Sequence, residues 1–158
     1  MKRTDLLLAG GALASLGAVG AALVSQHHFN MQPCPWCVFQ RLLFVLIAVA
    51  CGIGLLWRSA LGRRVGAALV DALALGGVAA ATWQHFVAAA KDSCNMTLAE
   101  QLIAALGLDE RYPGVFMAMA SCADAKVNLL GLPYEAWSGA LFLALMGMAW
   151  AVLRQPEH

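Results

Sequence analysis

The stretch LLFVLIAVACGIGLLW, residues 42–57, lies between Arg41 and Arg58 and holds no charged side chain. As an α-helix it is about 24 Å long at 1.5 Å per residue. The hydrocarbon core of a bilayer is about 30 Å thick and asks for roughly 20 apolar residues. The helix is therefore expected to begin upstream, near Pro35 or Cys37. Proline is tolerated in a first helical turn, because its missing N–H had no partner there to lose. On this reading 37–57 is a membrane span.

Three further apolar runs follow the same pattern: 6–24, 65–86 and 134–153. The third run carries Asp71 and ends on Trp83, Gln84 and His85. The last has Trp137 and Trp150 near its two ends, where an aromatic belt meets the headgroups. The chain is 61% hydrophobic and 12% charged, against about 25% charged for a soluble domain. The expected fold is all-α: one integral membrane four-helix bundle over residues 1–158. With a net charge of +1, the expected partner is the lipid bilayer and not nucleic acid. Lys2 and Arg3 before the first run could head a signal peptide. The run is longer than the usual 7–15-residue h-region, which favours a retained helix.

Orientation follows from the basic residues. Lys2, Arg3, Arg58, Arg63, Arg64 and Arg154 fall on one side of a four-span arrangement. Arg41, Lys91, Arg111 and Lys126 fall on the other, diluted by Asp92, Glu100, Asp109, Glu110 and Asp124. The positive-inside rule then puts both termini in the cytoplasm. Two loops, about 25–36 and 87–133, face outward. In the longer one, Leu98, Leu102 and Leu106 suggest a short amphipathic helix. Residues 112–119, with Val115, Phe116 and Met117, could rest on the membrane surface.

Four of five cysteines lie in these outward loops or, for Cys37, at the edge of one, where disulfides persist. Cys34 and Cys37 form Cys-Pro-Trp-Cys; Cys94 and Cys122 are in the long loop. Four cysteines allow three pairings, and Cys34–Cys37 with Cys94–Cys122 is the simplest. A Cys94–Cys122 bond alone reads as a loop staple, worth roughly 3–4 kcal/mol. A Cys-x-x-Cys bridge closes a tiny loop and points to labile or catalytic use. Zinc would want a second Cys-x-x-Cys or a spaced histidine pair, so no metal is expected. Cys51, mid-helix, reads as an inert small hydrophobe.

Cys37 should sit in the first turn of its helix, whose positive end favours a thiolate. Arg41, four residues on, shares that face. An arginine at a span boundary is commonly a snorkelling anchor, but beside a thiol it tunes reactivity. His85 should lie at the same depth, either capping its own helix or donating to a bound acceptor. Asp71 is expected to pair with Arg63 or Arg64 on one helix face.

Four spans with Cys34-Pro-Trp-Cys37, Arg41, the pair Cys94 and Cys122, and Asn128-Leu129-Leu130-Gly131-Leu132 before the last helix resemble the disulfide bond formation protein B (DsbB) family. The likeness covers nearly the whole chain. It implies a bacterial inner-membrane oxidoreductase, active on the periplasmic side, that supports disulfide formation in secreted proteins. It implies that Cys94–Cys122 is reduced by a DsbA-like thioredoxin-fold oxidase through Cys94, and that Cys122 then attacks Cys34. Cys37 is released as a thiolate beside a quinone, ubiquinone or menaquinone, drawn from the membrane pool. Arg41 and His85 are the expected quinone-binding residues. The rival readings are a structural membrane protein with two stabilising disulfides and a small transporter. Against transport, Asp71 is the one carboxylate well inside a run. Vitamin K epoxide reductase-like proteins run related chemistry but place their Cys-x-x-Cys late in the bundle.

Overall fold

The computed structural model describes residues 2–90 and 96–155. Four long helices form the bundle: α1 (Arg3–His28), α2 (Pro35–Leu56), α3 (Ala60–Phe86) and, last in the chain, α7 (Tyr134–Arg154). All four are long and apolar enough to cross a membrane. α2 begins at Pro35, so its 22 residues give about 33 Å of helix, enough for a bilayer core. α1 runs four residues beyond its expected end and α3 starts five residues before its expected beginning. Ser59 explains the latter, because its hydroxyl accepts from the Gly62 N–H (3.0 Å) and caps the helix.

Between α3 and α7 come a 3₁₀ turn at Ala88–Ala90, the short helices α4 (Leu98–Ala105), α5 (Leu108–Arg111) and α6 (Pro113–Phe116), and a two-stranded hairpin, β1 (Asn128–Leu129) with β2 (Leu132–Pro133). A Thr97–Glu100 capping box starts α4. In the hairpin, Leu130 and Gly131 both have positive φ (53° and 83°), which a two-residue type I′ turn requires. The Leu-Gly pair therefore sets the turn that delivers the chain to α7.

α3 lies along both α2 and α7, and α1 packs on α2. Lipid offers no hydrophobic drive for helix association, so close contact between small residues has to supply it. At the α2–α3 crossing a Cβ on Gly66 would come within 2.8 Å of the Gly54 Cα and 2.9 Å of the Ala50 carbonyl. Farther along, Phe44 and Phe142 stack at 4.2 Å, and Phe142 lies where any side chain on Gly77 would have to go. Leu13, Leu16, Val49, Leu75 and Leu143 project outward around this core. Trp83 and Trp137 are exposed at one end of the bundle and Trp57 and Trp150 at the other, which makes the two interfacial girdles of a membrane protein. Arg154 stacks over Trp150 at 3.7 Å.

The short amphipathic helix expected at Leu98, Leu102 and Leu106 is α4; its leucines face outward, while Ala99 and Ile103 on the opposite side are buried. Two expectations need correction. Phe116 turns inward onto Val38 and Ile103, so α6 is held to the bundle by the side chain that could have anchored it in lipid. Arg63, expected to pair along its own helix, forms an ion pair with Asp5 of α1 (3.8 Å).

Candidate redox site

Cys34 is the N-cap of α2: its sulfur accepts from the Cys37 backbone N–H at 3.3 Å. That turn brings the two side chains together, with Sγ–Sγ at 2.7 Å. The two sulfurs are in hydrogen-bond contact. Cys122 reaches Cys34 from the long loop and packs with it in one buried cluster. The loop is held there by Met119, whose N–H donates to the Pro33 carbonyl (3.0 Å). Trp36, Ala80 and Ala99 pack around Cys34 and Cys122 and bury both. Cys34 thus stands between two other sulfurs. Its thiol is pushed far up, first by donating to Cys122, then by donating to Cys37, then by burial. Cys122 is shifted down, chiefly because it accepts from Cys34 and also from the Trp36 backbone N–H. Cys94 lies outside the described residues, and so does its pairing with Cys122.

On the far side of Cys37 is a cavity of about 280 Å³ between α1, α2, α3 and α7, close to the small end of the usual range for ligand sites, roughly 300–1,000 Å³. Its polar lining is concentrated near the sulfur. Gln84 donates to Cys37 Sγ (3.3 Å), and Gln40 donates to the Gln84 side-chain oxygen (2.7 Å), fixing which way that amide points. Arg41 is only 6% exposed, well inside the position expected of a snorkelling anchor. Its Nη1 donates to Gln26 Oε1 (2.7 Å) and to the Val115 carbonyl (2.9 Å). One arginine therefore lines the cavity and also grips the loop segment that leads to Cys122.

A family model described as disulfide bond formation protein DsbB matches residues 3–152. The chain belongs to the DsbB family. Among its relatives is a disulfide bond formation protein B of Herminiimonas arsenicoxydans, 32% identical over 146 residues, covering 92% of each chain. Another, from Cupriavidus metallidurans, is 30% identical over 158 residues, 99% of this chain and 96% of the relative. A disulfide bond formation protein B 1 of Pseudomonas aeruginosa is 33% identical over 141 residues, 87% and 86% of the two chains. As a DsbB-family member this is a multi-pass membrane oxidoreductase of disulfide bond formation.

Of the residues expected to serve this DsbB chain, Cys34, Cys37, Cys122 and Arg41 come together. His85 does not line the cavity. It is one residue, about 100° of helix, beyond Gln84, and its Nδ1 bonds Glu135 Oε1 at 2.8 Å. Glu135 does line the cavity. Sequence reasoning missed Gln26, Gln40, Gln84 and Glu135. Each is a polar side chain at the end of a membrane run, which is the signal that could have found it. Cys51 is buried in the core beside Leu145 and Val70, remote from the other sulfurs.

Proposed function

We propose that this chain is a thiol:quinone oxidoreductase of the bacterial inner membrane, with its cysteines at the periplasmic side, and that it reoxidises a DsbA-like dithiol oxidase. The observation that carries this is the placement of one Cys-x-x-Cys between two environments. Cys34 touches Cys122 in the loop, and Cys37 touches the cavity.

The partner's dithiol is oxidised as Cys94–Cys122 is reduced. Cys122, whose thiolate is favoured by the Trp36 backbone N–H, attacks Cys34 of an oxidised Cys34–Cys37 pair. A Cys34–Cys122 bond forms, the Cys34–Cys37 bond breaks, and Cys37 leaves as a thiolate holding the electron pair. Thiol–disulfide exchange is faster when the leaving thiol carries its charge easily. The α2 N-terminus and the Gln84 amide both favour that charge. As Cys94 attacks Cys122 and the Cys94–Cys122 bond re-forms, Cys34 is released to re-form its bond with Cys37, and a quinone in the cavity would supply the two-electron acceptor for that oxidation and become a quinol. The residues fit such a ring: apolar walls from Ala22, Phe44 and Leu141, the Cys37 sulfur at one side, and the Arg41 guanidinium where negative charge would develop.

Purified full-length protein, given a reduced thioredoxin-fold dithiol and a short-chain ubiquinone or menaquinone, should form quinol in step with partner oxidation. Cys37→Ser should abolish quinol formation but leave the first exchange at Cys94–Cys122. No quinol from wild type with either quinone would refute the reading.

A further inference from the structure

We propose that Glu135 and His85 form the proton entry to the acceptor cavity, with Glu135 the donor inside and His85 the group that recharges it from water. The inference rests on the quinone reading above. Glu135, in the first turn of α7, lines the cavity with its side chain 9% exposed, whereas the His85 side chain on α3 is 47% exposed. Their 2.8 Å contact joins the two. His85 sits two residues before the Val87 cap of α3, at the end of the bundle that carries the cysteines. A buried carboxyl on the cavity wall and an exposed imidazole at the water boundary make a two-member chain from solvent to ligand.

The reaction needs that chain. Quinol formation takes two electrons and two protons. The electrons arrive through sulfur, while the partner's thiol protons are released to water on the other side of Cys34. Glu135 gives its carboxyl proton to an acceptor oxygen and becomes a carboxylate. His85, carrying its proton on Nδ1, passes it to that carboxylate as Nε2 takes one from water, and exchange with water returns the ring to its Nδ1–H tautomer. Two passes supply both protons. The other titratable or charged groups facing Glu135 across the cavity are Cys37 and Arg41 from α2 and Tyr134 from its own helix. Gln84 from α3 and Ser25 from α1 are neutral. Arg41 is already committed to Gln26 and Val115. Glu135 is thus the carboxyl group in the lining.

An ordinary cross-helix ion pair would look the same at rest, so the test needs a readout that such a pair does not move. His85→Gln keeps a hydrogen-bonding group at the surface but cannot shuttle a proton. In nanodiscs it should slow quinol formation about 10²-fold, the low end of general acid–base effects. Added imidazole should restore part of the rate, while exchange with the soluble dithiol stays normal. Glu135→Gln should be equally slow and gain nothing from imidazole. A second readout needs no quinone. In protein free of quinone, infrared spectroscopy after a jump into D₂O should show the Glu135 carboxyl exchanging more slowly in His85→Gln than in wild type. The relay is overturned if wild type makes quinol, both variants match it within about two-fold, and carboxyl exchange is unchanged. If wild type makes no quinol, the functional reading falls and takes the relay's acceptor with it.

Discussion

Arg41 shows how much a single side chain can be asked to do. It borders the cavity and, through the Val115 carbonyl, fastens the segment that leads to Cys122. Lysine keeps the charge but not the planar fork that allows several directed bonds. Arg41→Ala is expected to slow quinone reduction roughly 10²–10³-fold, as loss of a directed electrostatic contact does, with Arg41→Lys intermediate. Stopped-flow separation of the two half-reactions checks this. Quinone reduction untouched in Arg41→Ala would remove Arg41 from the mechanism. The sulfurs give a pH prediction. A thiol ordinarily titrates near pH 8.5. Cys122 is shifted down and Cys34 up, so as pH falls from alkaline values Cys34 should lose thiolate character first and Cys122 last. In fully reduced protein, the thiolate absorbance that Cys122→Ser removes should persist to lower pH than that which Cys34→Ser removes. Ultraviolet difference spectra across pH 6–9 (about the thiol range) read the two profiles, and parallel profiles would contradict the assignment.

At the scale of elements, what the residues announced and what they hid divide along physical lines. The spans were legible because twenty apolar residues between charges have few other fates. The Cys37–Arg41 face was legible because helical spacing is local. The outward leucines of α4 and the inward Phe116 were not legible. Either face of a short helix can be covered, and only the position of Val38 on α2 decides. His85 has the depth of the cavity but not its side of the helix; rotation about α3 turns Gln84 to the lining and His85 to Glu135. The α2–α3 crossing also depends on a detail without periodicity, the meeting of Gly54 and Gly66. Gly66→Ala is expected to cost about 1–3 kcal/mol, as overpacking does, because the new methyl meets backbone that cannot rotate away. Gly10→Ala, with open space at its Cβ, should be neutral or slightly stabilising through helix propensity. Thermal unfolding in detergent distinguishes them, and equal melting temperatures would mean the crossing is looser than its geometry implies.

For the molecule as a whole, the helix order puts the Cys34–Cys37 turn and the long loop at one end of the bundle, with the 57–59 connection and both described chain ends at the other. Lys2, Arg3, Arg58, Arg63, Arg64 and Arg154 gather at that second end. A periplasm-active reporter fused after Asn30 or Glu110 should be active, and one fused near Leu61 silent. Activity at Leu61 would invert or break the arrangement. The middle sulfur has a consequence for the cell. Cys34 has no surface of its own, since it is covered by Trp36, Ala80 and Ala99 and flanked by the other two thiols. Small soluble reductants and dissolved oxidants cannot collide with it, however favourable the potentials. Under the proposed function the chain would behave like an insulated conductor: charge would enter only where a loop delivers it and leave only into the cavity. The redox poise outside the membrane can then be held far from that of the small thiols around it.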